Sequence, residues 1–277
     1  MKRFSTLSII IVLATFLIAG CGDRYNKNKN EGTSGDPSAG RTAYASKGDE
    51  GSVSGVIKFD GTPPAPKRID MGADANCAAA GGSTMTDDVS VADGKLENVF
   101  VYVKGGPVDN FSFETPSTPV TIDQQGCRYH PRVLGIQTGQ TLRVTNSDST
   151  THNVHPTPKN NQEWNQSQSP NQGPIEKKFN RPETLIPVKC NVHPWMKANV
   201  GVLAHPYFAV TAKDGSFSIK NLPPGTYTLV AWHETLGEKT QNITVGAKES
   251  KTQDFAYGAA QAFMPTSLRV EAALVLP

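Results

Sequence analysis

The sequence predicts an all-β fold made of two β-sandwiches, one inserted in the other or following it along the chain. Glycine and proline are plentiful, at 25 and 20 of 277 residues, and no long amphipathic helical pattern is present. Short runs that alternate apolar and polar residues, separated by turns rich in these two residues, are typical of half-buried strands. The length suits one large domain or two ordinary ones.

The N-terminus has the parts of an export signal. Lys2 and Arg3 precede an apolar stretch that is too short to span a bilayer comfortably. Residues 18–21 (IAGC) resemble a bacterial lipobox, which implies cleavage before Cys21 and attachment of diacylglycerol to its sulfur. An ordinary signal peptide with a chance cysteine is the alternative. We expect residues 1–20 to be a lipoprotein signal peptide and the protein to be exported and lipid-anchored to a membrane, facing the periplasm or the cell surface.

The segment that follows the signal is polar. Residues 21–50 are rich in Asn, Lys, Gly and Ser and contain very few apolar residues. Such a composition cannot bury enough surface to fold, so we expect a flexible tether.

The charge balance excludes one class of partner. The chain has 27 basic and 25 acidic residues, and removal of the signal peptide takes away two of the basic ones. A neutral mature chain supports neither nucleic-acid binding nor a polybasic membrane patch. We therefore expect no nucleic-acid partner, and membrane attachment through the lipid on Cys21.

The four cysteines have separate predicted roles. Cys21 is assigned to the lipid, and Cys190 lies in a cluster that contains His and Met. Cys77 and Cys127 remain, and two remaining cysteines in an exported protein most often pair. We predict a Cys77–Cys127 disulfide; the alternative is that one of the two also binds metal.

Two segments offer metal ligands. Residues 190–196 (CNVHPWM) contain a thiolate, an imidazole and a thioether, and soft sulfur with imidazole selects copper or, less exclusively, zinc. Electron-transfer copper sites use one Cys, two His and a weak Met, so one imidazole is missing from this segment. Residues 151–155 (THNVH) follow an alternating run, residues 139–146, that is typical of a strand. His152 therefore lies at a strand end, where it can pack against the loop that carries Cys190.

These segments resemble the cupredoxins, and most closely the amicyanin-like proteins. Those proteins have a Cys-x-x-His-x-x-Met loop with Pro after the His, and a His-Asn-Val-His segment that holds the first ligand. The resemblance covers about residues 120–204. It implies a Greek-key β-sandwich with one type 1 copper ion, held equatorially by His152, Cys190 and His193 and axially by Met196.

The same resemblance implies roles for neighbouring residues. Asn153 would hydrogen-bond near the thiolate and tie the two ligand loops together. His193 would lie at the surface within an apolar patch, where Pro194 and Trp195 contact redox partners; ordinary core packing is the alternative for Trp195. His155 receives a structural role. The other histidines belong to no cluster of ligands and are assigned no function: His130, His205 and His233.

The ligand set favours electron transfer over catalysis. Protein ligands fill the equatorial positions, whereas a catalytic metal keeps one position open. The additional His-x-His pairs of multicopper oxidases do not occur in the sequence. We expect a protein that is not an enzyme and exchanges single electrons with a redox partner protein, such as a cytochrome or a periplasmic dehydrogenase. Copper binding or delivery, and a carbohydrate-binding or adhesive β-sandwich, are the alternatives.

A second resemblance follows the first along the chain. Residues 214–219 (DGSFSI) and 222–233 (LPPGTYTLVAWH) resemble the carboxypeptidase regulatory-like, or transthyretin-like, β-sandwich. Its hallmark is Asp-Gly-x-Phe followed by Leu-Pro-Pro-Gly-x-Tyr, and residues 54–64 look like its opening strand and turn. Such a module is usually structural or adhesive.

The positions of these patterns predict a nested domain organisation. The regulatory-like sandwich takes residues 51–110 plus 205–257, and the cupredoxin domain is inserted at 111–204. Three consecutive pieces are the alternative. Residues 258–277 form a C-terminal tail without an assigned function.

Overall fold

The computed structural model describes residues 40–79 and 85–259. The predicted signal peptide, the predicted lipidation site Cys21 and the greater part of the predicted tether and tail lie outside the described residues. Within those two ranges, none of the helices is long and apolar enough to cross a membrane.

Strands dominate the described residues, so the all-β prediction is confirmed. The described helical elements are short: α1 (Ala75–Ala79) and a 3-10 turn at Pro107–Asn110. The strands are, in chain order, β1 (Thr42–Ala43), β2 (Gly51–Asp60), β3 (Val91–Ala92), β4 (Lys95–Leu96), β5 (Phe100–Lys104), β6 (Phe111–Ser112), β7 (Val120–Gln125), β8 (Arg128–His130), β9 (Val133–Gln137), β10 (Thr141–Asn146), β11 (His152–Pro156), β12 (Gln166–Gln168), β13 (Ile175–Lys178), β14 (Glu183–Lys189), β15 (Lys197–Leu203), β16 (Phe208–Val210), β17 (Ser216–Leu222), β18 (Gly225–His233), β19 (Gly237–Val245), β20 (Ser250–Thr252) and β21 (Phe255–Gly258).

Strands β7 to β15 form a unit that we call the central sandwich. One sheet has the order β13-β10-β7-β8 and the other the order β12-β11-β14-β15-β9. Strands β7 and β10 run parallel, as do β9 and β15, while the remaining neighbours are antiparallel. Alternate apolar residues of both sheets meet in one core, as period-two patterning requires. Its members include Ile122, Leu142, Val144, Val154, Ile186 and Val200.

Most of the strands that come before and after the central sandwich in sequence form a second unit, the outer sandwich. Its sheets have the orders β16-β5-β18-β19 and β17-β2-β4-β3, with β20 and β21 also paired to β2. Strand β2 is antiparallel to β17 and parallel to β20 and β21. Strand β2 therefore pairs with strands that come after the central sandwich in the chain. A nested arrangement requires this kind of pairing.

A pair of glycines lets the two sandwiches approach closely. Gly135 on β9 and Gly201 on β15 are register partners. A side chain at either position would overlap the ring of Phe100, which projects from β5. Phe100 belongs to a buried cluster with Tyr102, Leu203 and other residues of both sandwiches. The outer sandwich therefore packs through an aromatic ring that fits into a notch in the central one.

The folded part begins before residue 51, so the predicted boundary of the tether is wrong for the described residues 40–50. Strand β1 pairs in parallel with β6, and Tyr44 donates a hydrogen bond to Glu50 Oε1 (2.7 Å). The Tyr44 ring also packs on Phe111 and Phe113, with centroid distances of 5.2 and 5.1 Å. Backbone pairing and one aromatic side chain are enough to order a segment whose composition is otherwise polar.

Candidate metal centre

The predicted ligand segments lie on neighbouring strands of one sheet. His152 opens β11, and Cys190 directly follows β14, which pairs antiparallel with β11. Residues 190–196 connect β14 to β15. This connection is closed by backbone hydrogen bonds from Cys190 N to the Met196 carbonyl (3.2 Å) and from Met196 N to the His193 carbonyl (2.9 Å).

Three of the predicted ligands converge. The ligand atoms of His152, Cys190 and His193 all lie within 4.8 Å of one another. His152 Nδ1 is 2.9 Å from His193 Nδ1, and Cys190 Sγ is 3.8 Å from that same His193 Nδ1. Two ligands that each lie about 2.0–2.3 Å from one ion stand roughly 3–4 Å apart. The separations therefore suit a single shared ion, and the three residues are 0, 2 and 2 % exposed.

Met196, the predicted axial ligand, is fully buried in the same core cluster as Cys190. The four buried side chains therefore offer one thiolate, two imidazoles and one soft thioether. Copper of the electron-transfer type prefers this set of donors, whereas magnesium and calcium prefer oxygen.

Two carboxylates that the sequence analysis did not assign hold the outer nitrogens of the imidazoles. Asp148 Oδ2 lies 2.8 Å from His152 Nε2, and Asp74 Oδ2 lies 3.0 Å from His193 Nε2. Burial raises the pKa of the Asp74 carboxyl, but hydrogen bonds from Cys77 N, Thr150 and His193 outweigh it and lower that pKa to about 2. Asp74 is therefore an ionised acceptor over the range in which proteins are stable.

The two carboxylates determine what can lie between the imidazoles. A carboxylate only accepts hydrogen bonds, so each Nε2 carries the hydrogen and, in a neutral ring, Nδ1 keeps its lone pair. The two Nδ1 atoms lie 2.9 Å apart, so their lone pairs repel each other unless a proton or a metal cation lies between the nitrogens. Burial lowers the pKa of His152, and Asp148 only partly offsets this effect, so an added proton is disfavoured. The residues present therefore fit a metal cation.

Asn153 occupies the position that the sequence predicted between the ligand loops. Its backbone N–H points at Cys190 Sγ (3.5 Å), and its side-chain oxygen accepts a hydrogen bond from Asn191 N. Its side-chain nitrogen donates to Asn165 Oδ1. One amide therefore connects β11, the Cys190 loop and the strand connection that follows β11.

Cys77 and Cys127 form a disulfide with an S–S distance of 2.00 Å. This bond places residues 71–79, which we call the α1 segment, directly against the centre. Cys77 Sγ lies 3.5 Å from His193 Nε2. Each cysteine also groups with one His and one Asp at metal-ligand distances, as Asp74–Cys77–His193 and Cys127–Asp148–His152. Because the two sulfurs are bonded to each other, neither is a thiolate that could hold an ion.

The surface position implied for His193 is wrong. His193 is only 2 % exposed, because the α1 segment covers the edge of its ring that carries Nε2. Pro194 is exposed, whereas Trp195 is partly buried. The Trp195 ring lies 5.1 Å from the His193 ring, centroid to centroid, and its Nε1 donates to the Cys127 carbonyl (3.0 Å). Val192 of the same loop is also exposed, at 56 %.

The remaining histidines lie outside the cluster. His155 Nδ1 is 3.1 Å from Asn191 Oδ1, and its Nε2 pairs with Glu163 (2.5 Å). His205 is buried in the outer sandwich, and desolvation lowers its pKa to about 4. His233 Nδ1 accepts hydrogen bonds from two backbone N–H groups of the following turn.

Residues 193–258 match the family model of the carboxypeptidase regulatory-like domain. The match starts at His193, twelve positions before the predicted boundary, and therefore includes β15 of the central sandwich. No curated protein matches the chain.

Solved structures that are similar to part of this chain include copper proteins. The copper-containing nitrite reductase from Thermus scotoductus is 21% identical over 38% of this chain and 28% of its own, with a TM-score of 0.29. A purple cupredoxin from Nitrosopumilus maritimus is 25% identical over 30% of this chain and 98% of its own (TM-score 0.26). An amicyanin variant is 22% identical over 32% of this chain and 86% of its own, with a TM-score of 0.27. These scores are too low to assign a function, which therefore depends on the geometry of the centre.

Proposed function

We propose that this protein is an exported, lipid-anchored blue copper protein that binds one type 1 copper ion and passes single electrons between redox partners. One observation carries the proposal: the buried ligand atoms of His152, Cys190 and His193 lie within 4.8 Å of one another. Met196 is buried in the same cluster as Cys190. A bound copper ion would supply the one-electron redox change, and the chain supplies its ligands.

The surroundings of the ligands favour electron transfer over catalysis or delivery. Catalytic metal sites keep a position open for water or substrate, whereas these ligands are almost fully covered. Asp74 and Asp148 hold both imidazoles from outside, which limits their movement when the charge of an ion changes. A delivery protein has to let the ligands of its recipient reach the ion, and buried donors hinder that step.

Addition of Cu(II) to the purified protein tests the proposal. We expect an intense blue colour from thiolate-to-copper charge transfer, and reversible bleaching with ascorbate. Cys190→Ser and His152→Gln should abolish the colour, whereas Met196→Leu should retain it with a shifted potential. His130→Gln is the control, because His130 is exposed on β8 and belongs to none of the groups of possible ligands among the described residues. A colourless Cu(II) adduct, or a preference for zinc, would contradict the assignment.

Export, lipidation and docking are proposed from the sequence. Fatty-acid labelling of the full chain should be lost in Cys21→Ala, and retained labelling would contradict lipid attachment at Cys21. Pro194 and Trp195 flank His193, and we propose that they contact a partner such as a cytochrome or a periplasmic dehydrogenase. Trp195→Ala should slow electron exchange with a soluble c-type cytochrome while the blue colour remains. An unchanged rate would remove Trp195 from the docking face.

A further inference from the structure

The α1 segment follows β2 of the outer sandwich in sequence, but it packs on the central one. Met71 and Cys77 are buried in the core cluster that also contains Cys190 and Met196. The segment lies on the His193 side of the centre, where Cys77 Sγ is 3.5 Å from His193 Nε2. The part of the chain that builds the outer sandwich therefore also supplies the cover over a proposed ligand in the central one.

Asp74 uses both of its carboxylate oxygens at this contact. Oδ1 accepts hydrogen bonds from Asn76 N (2.8 Å) and Cys77 N (3.2 Å) at the start of α1. Oδ2 accepts one from Thr150 Oγ1 (2.9 Å) and lies 3.0 Å from His193 Nε2. A single side chain therefore joins the α1 segment to the imidazole and to the residues that precede His152.

The disulfide fastens the same segment to the other side of the centre. Cys127 N donates a hydrogen bond to Asp148 Oδ2 (2.8 Å), and this oxygen also lies 2.8 Å from His152 Nε2. Cys77 and Cys127 are 1 and 0 % exposed, so reductants in solution have little access to the bond. The α1 segment is thus covalently held to the loop whose backbone orients the second imidazole through Asp148.

We propose that the α1 segment is a disulfide-fastened lid that closes the His193 side of the centre, and that Asp74 is the residue that positions His193 beneath it. The metal-related part of this proposal rests on the proposed function. The lid keeps small ligands away from the metal and holds the imidazole in one orientation. A redox partner therefore has access to the loop side, where Val192 and Pro194 are exposed, and not to the His193 edge.

The first test uses the metal-free protein, so that it does not depend on copper. Cys190 is a free, buried cysteine, and Cys21→Ala removes the thiol at the N-terminus. In this background, iodoacetamide should modify Cys190 at least about tenfold faster when Cys77 and Cys127 are both replaced by Ala, because the segment then opens locally. Equal rates in the two proteins would overturn the lid, with circular dichroism used to verify folding.

The second test keeps the disulfide and decides the question if the cysteine variant fails to fold. Asp74→Ala should also accelerate modification of Cys190, and Asp74→Asn should accelerate it by a smaller factor, because an amide keeps one acceptor oxygen where Asp74 uses two. Asp214→Ala is the matched control, because Asp214 likewise accepts hydrogen bonds in a turn, from Ser216 in the outer sandwich. Equal rates for Asp74→Ala, Asp214→Ala and the parent would overturn the positioning role.

The third test uses the Cu(II)-loaded protein and azide as the small ligand. Azide should leave the absorption spectrum of the parent unchanged and alter that of the variant without the disulfide. A spectral response in the parent would contradict a closed centre. If the protein binds no copper, the proposed function fails, while the modification rates of Cys190 still decide whether the α1 segment acts as a lid.

Discussion

Replacement of Asn153 by Ala tests how the two ligand loops are held together. The Asn153 side chain accepts a hydrogen bond from Asn191 N and donates one to Asn165 Oδ1, in a residue that is 7 % exposed. A net contribution of about 1 kcal/mol for each bond, with a further penalty for any polar group left unsatisfied, lowers the free energy of unfolding by about 2–3 kcal/mol. Urea unfolding of the metal-free protein, followed by circular dichroism, measures this loss.

The same substitution should weaken metal binding. Loss of a residue that orients ligands typically costs about 10–100-fold in metal affinity, which competition with a chelator measures. Asn165→Ala is the matched control: it removes one of the two hydrogen bonds but leaves the bond to the Cys190 loop in place. We expect a loss of about 1 kcal/mol in stability and unchanged affinity. Equal affinities for Asn153→Ala and the parent would refute the reasoning.

Three further predictions concern the scaffold. Gly201→Ala places a methyl group against the Phe100 ring and should lower the free energy of unfolding by about 1–3 kcal/mol, as measured by urea unfolding. Replacement of Cys77 and Cys127, which lie 50 positions apart, by Ala should cost about 4 kcal/mol by the loop-entropy relation, and an unchanged midpoint would contradict it. Burial lowers the pKa of His205 from 6.5 to about 4, so the unfolded state protonates first as the pH falls. The free energy of unfolding of the parent should therefore fall by about 3 kcal/mol between pH 6.5 and 4. His205→Gln should not show this loss.

The parts of the centre that the sequence predicted are local in the chain. A short loop that carries Cys190, His193 and Met196 determines its own chemistry, because three donors occur within seven residues. His152 could be added because it follows an alternating run that ends where a strand ends. The disulfide was predicted by elimination among four cysteines, and Cys77 and Cys127 lie at bonding distance.

The parts that were missed are separated widely in the chain or lack a distinctive pattern. Asp74 lies 119 positions from His193, and an aspartate before a five-residue helix has no recognisable motif. Asp148 could have been found, since it stands four positions before His152. The burial of His193 was missed because the segment that covers it is also distant in the chain. The resemblance of a ligand loop to a family carries no information about a distant segment that packs on that loop.

The covered His193 edge changes what counts as the complete metal centre. Strand β2 leads into the α1 segment, and β3 to β6 follow it before the central sandwich begins. A chain cut down to residues 111–204 would keep all four proposed ligands but would lose Asp74 and one half of the disulfide. His193 would then lack its carboxylate partner, and the lone-pair repulsion with His152 could be relieved by rotation of the free ring. The outer sandwich is therefore more than an attached module, because the segment whose Asp74 contacts His193 lies between its strands β2 and β3 in the chain.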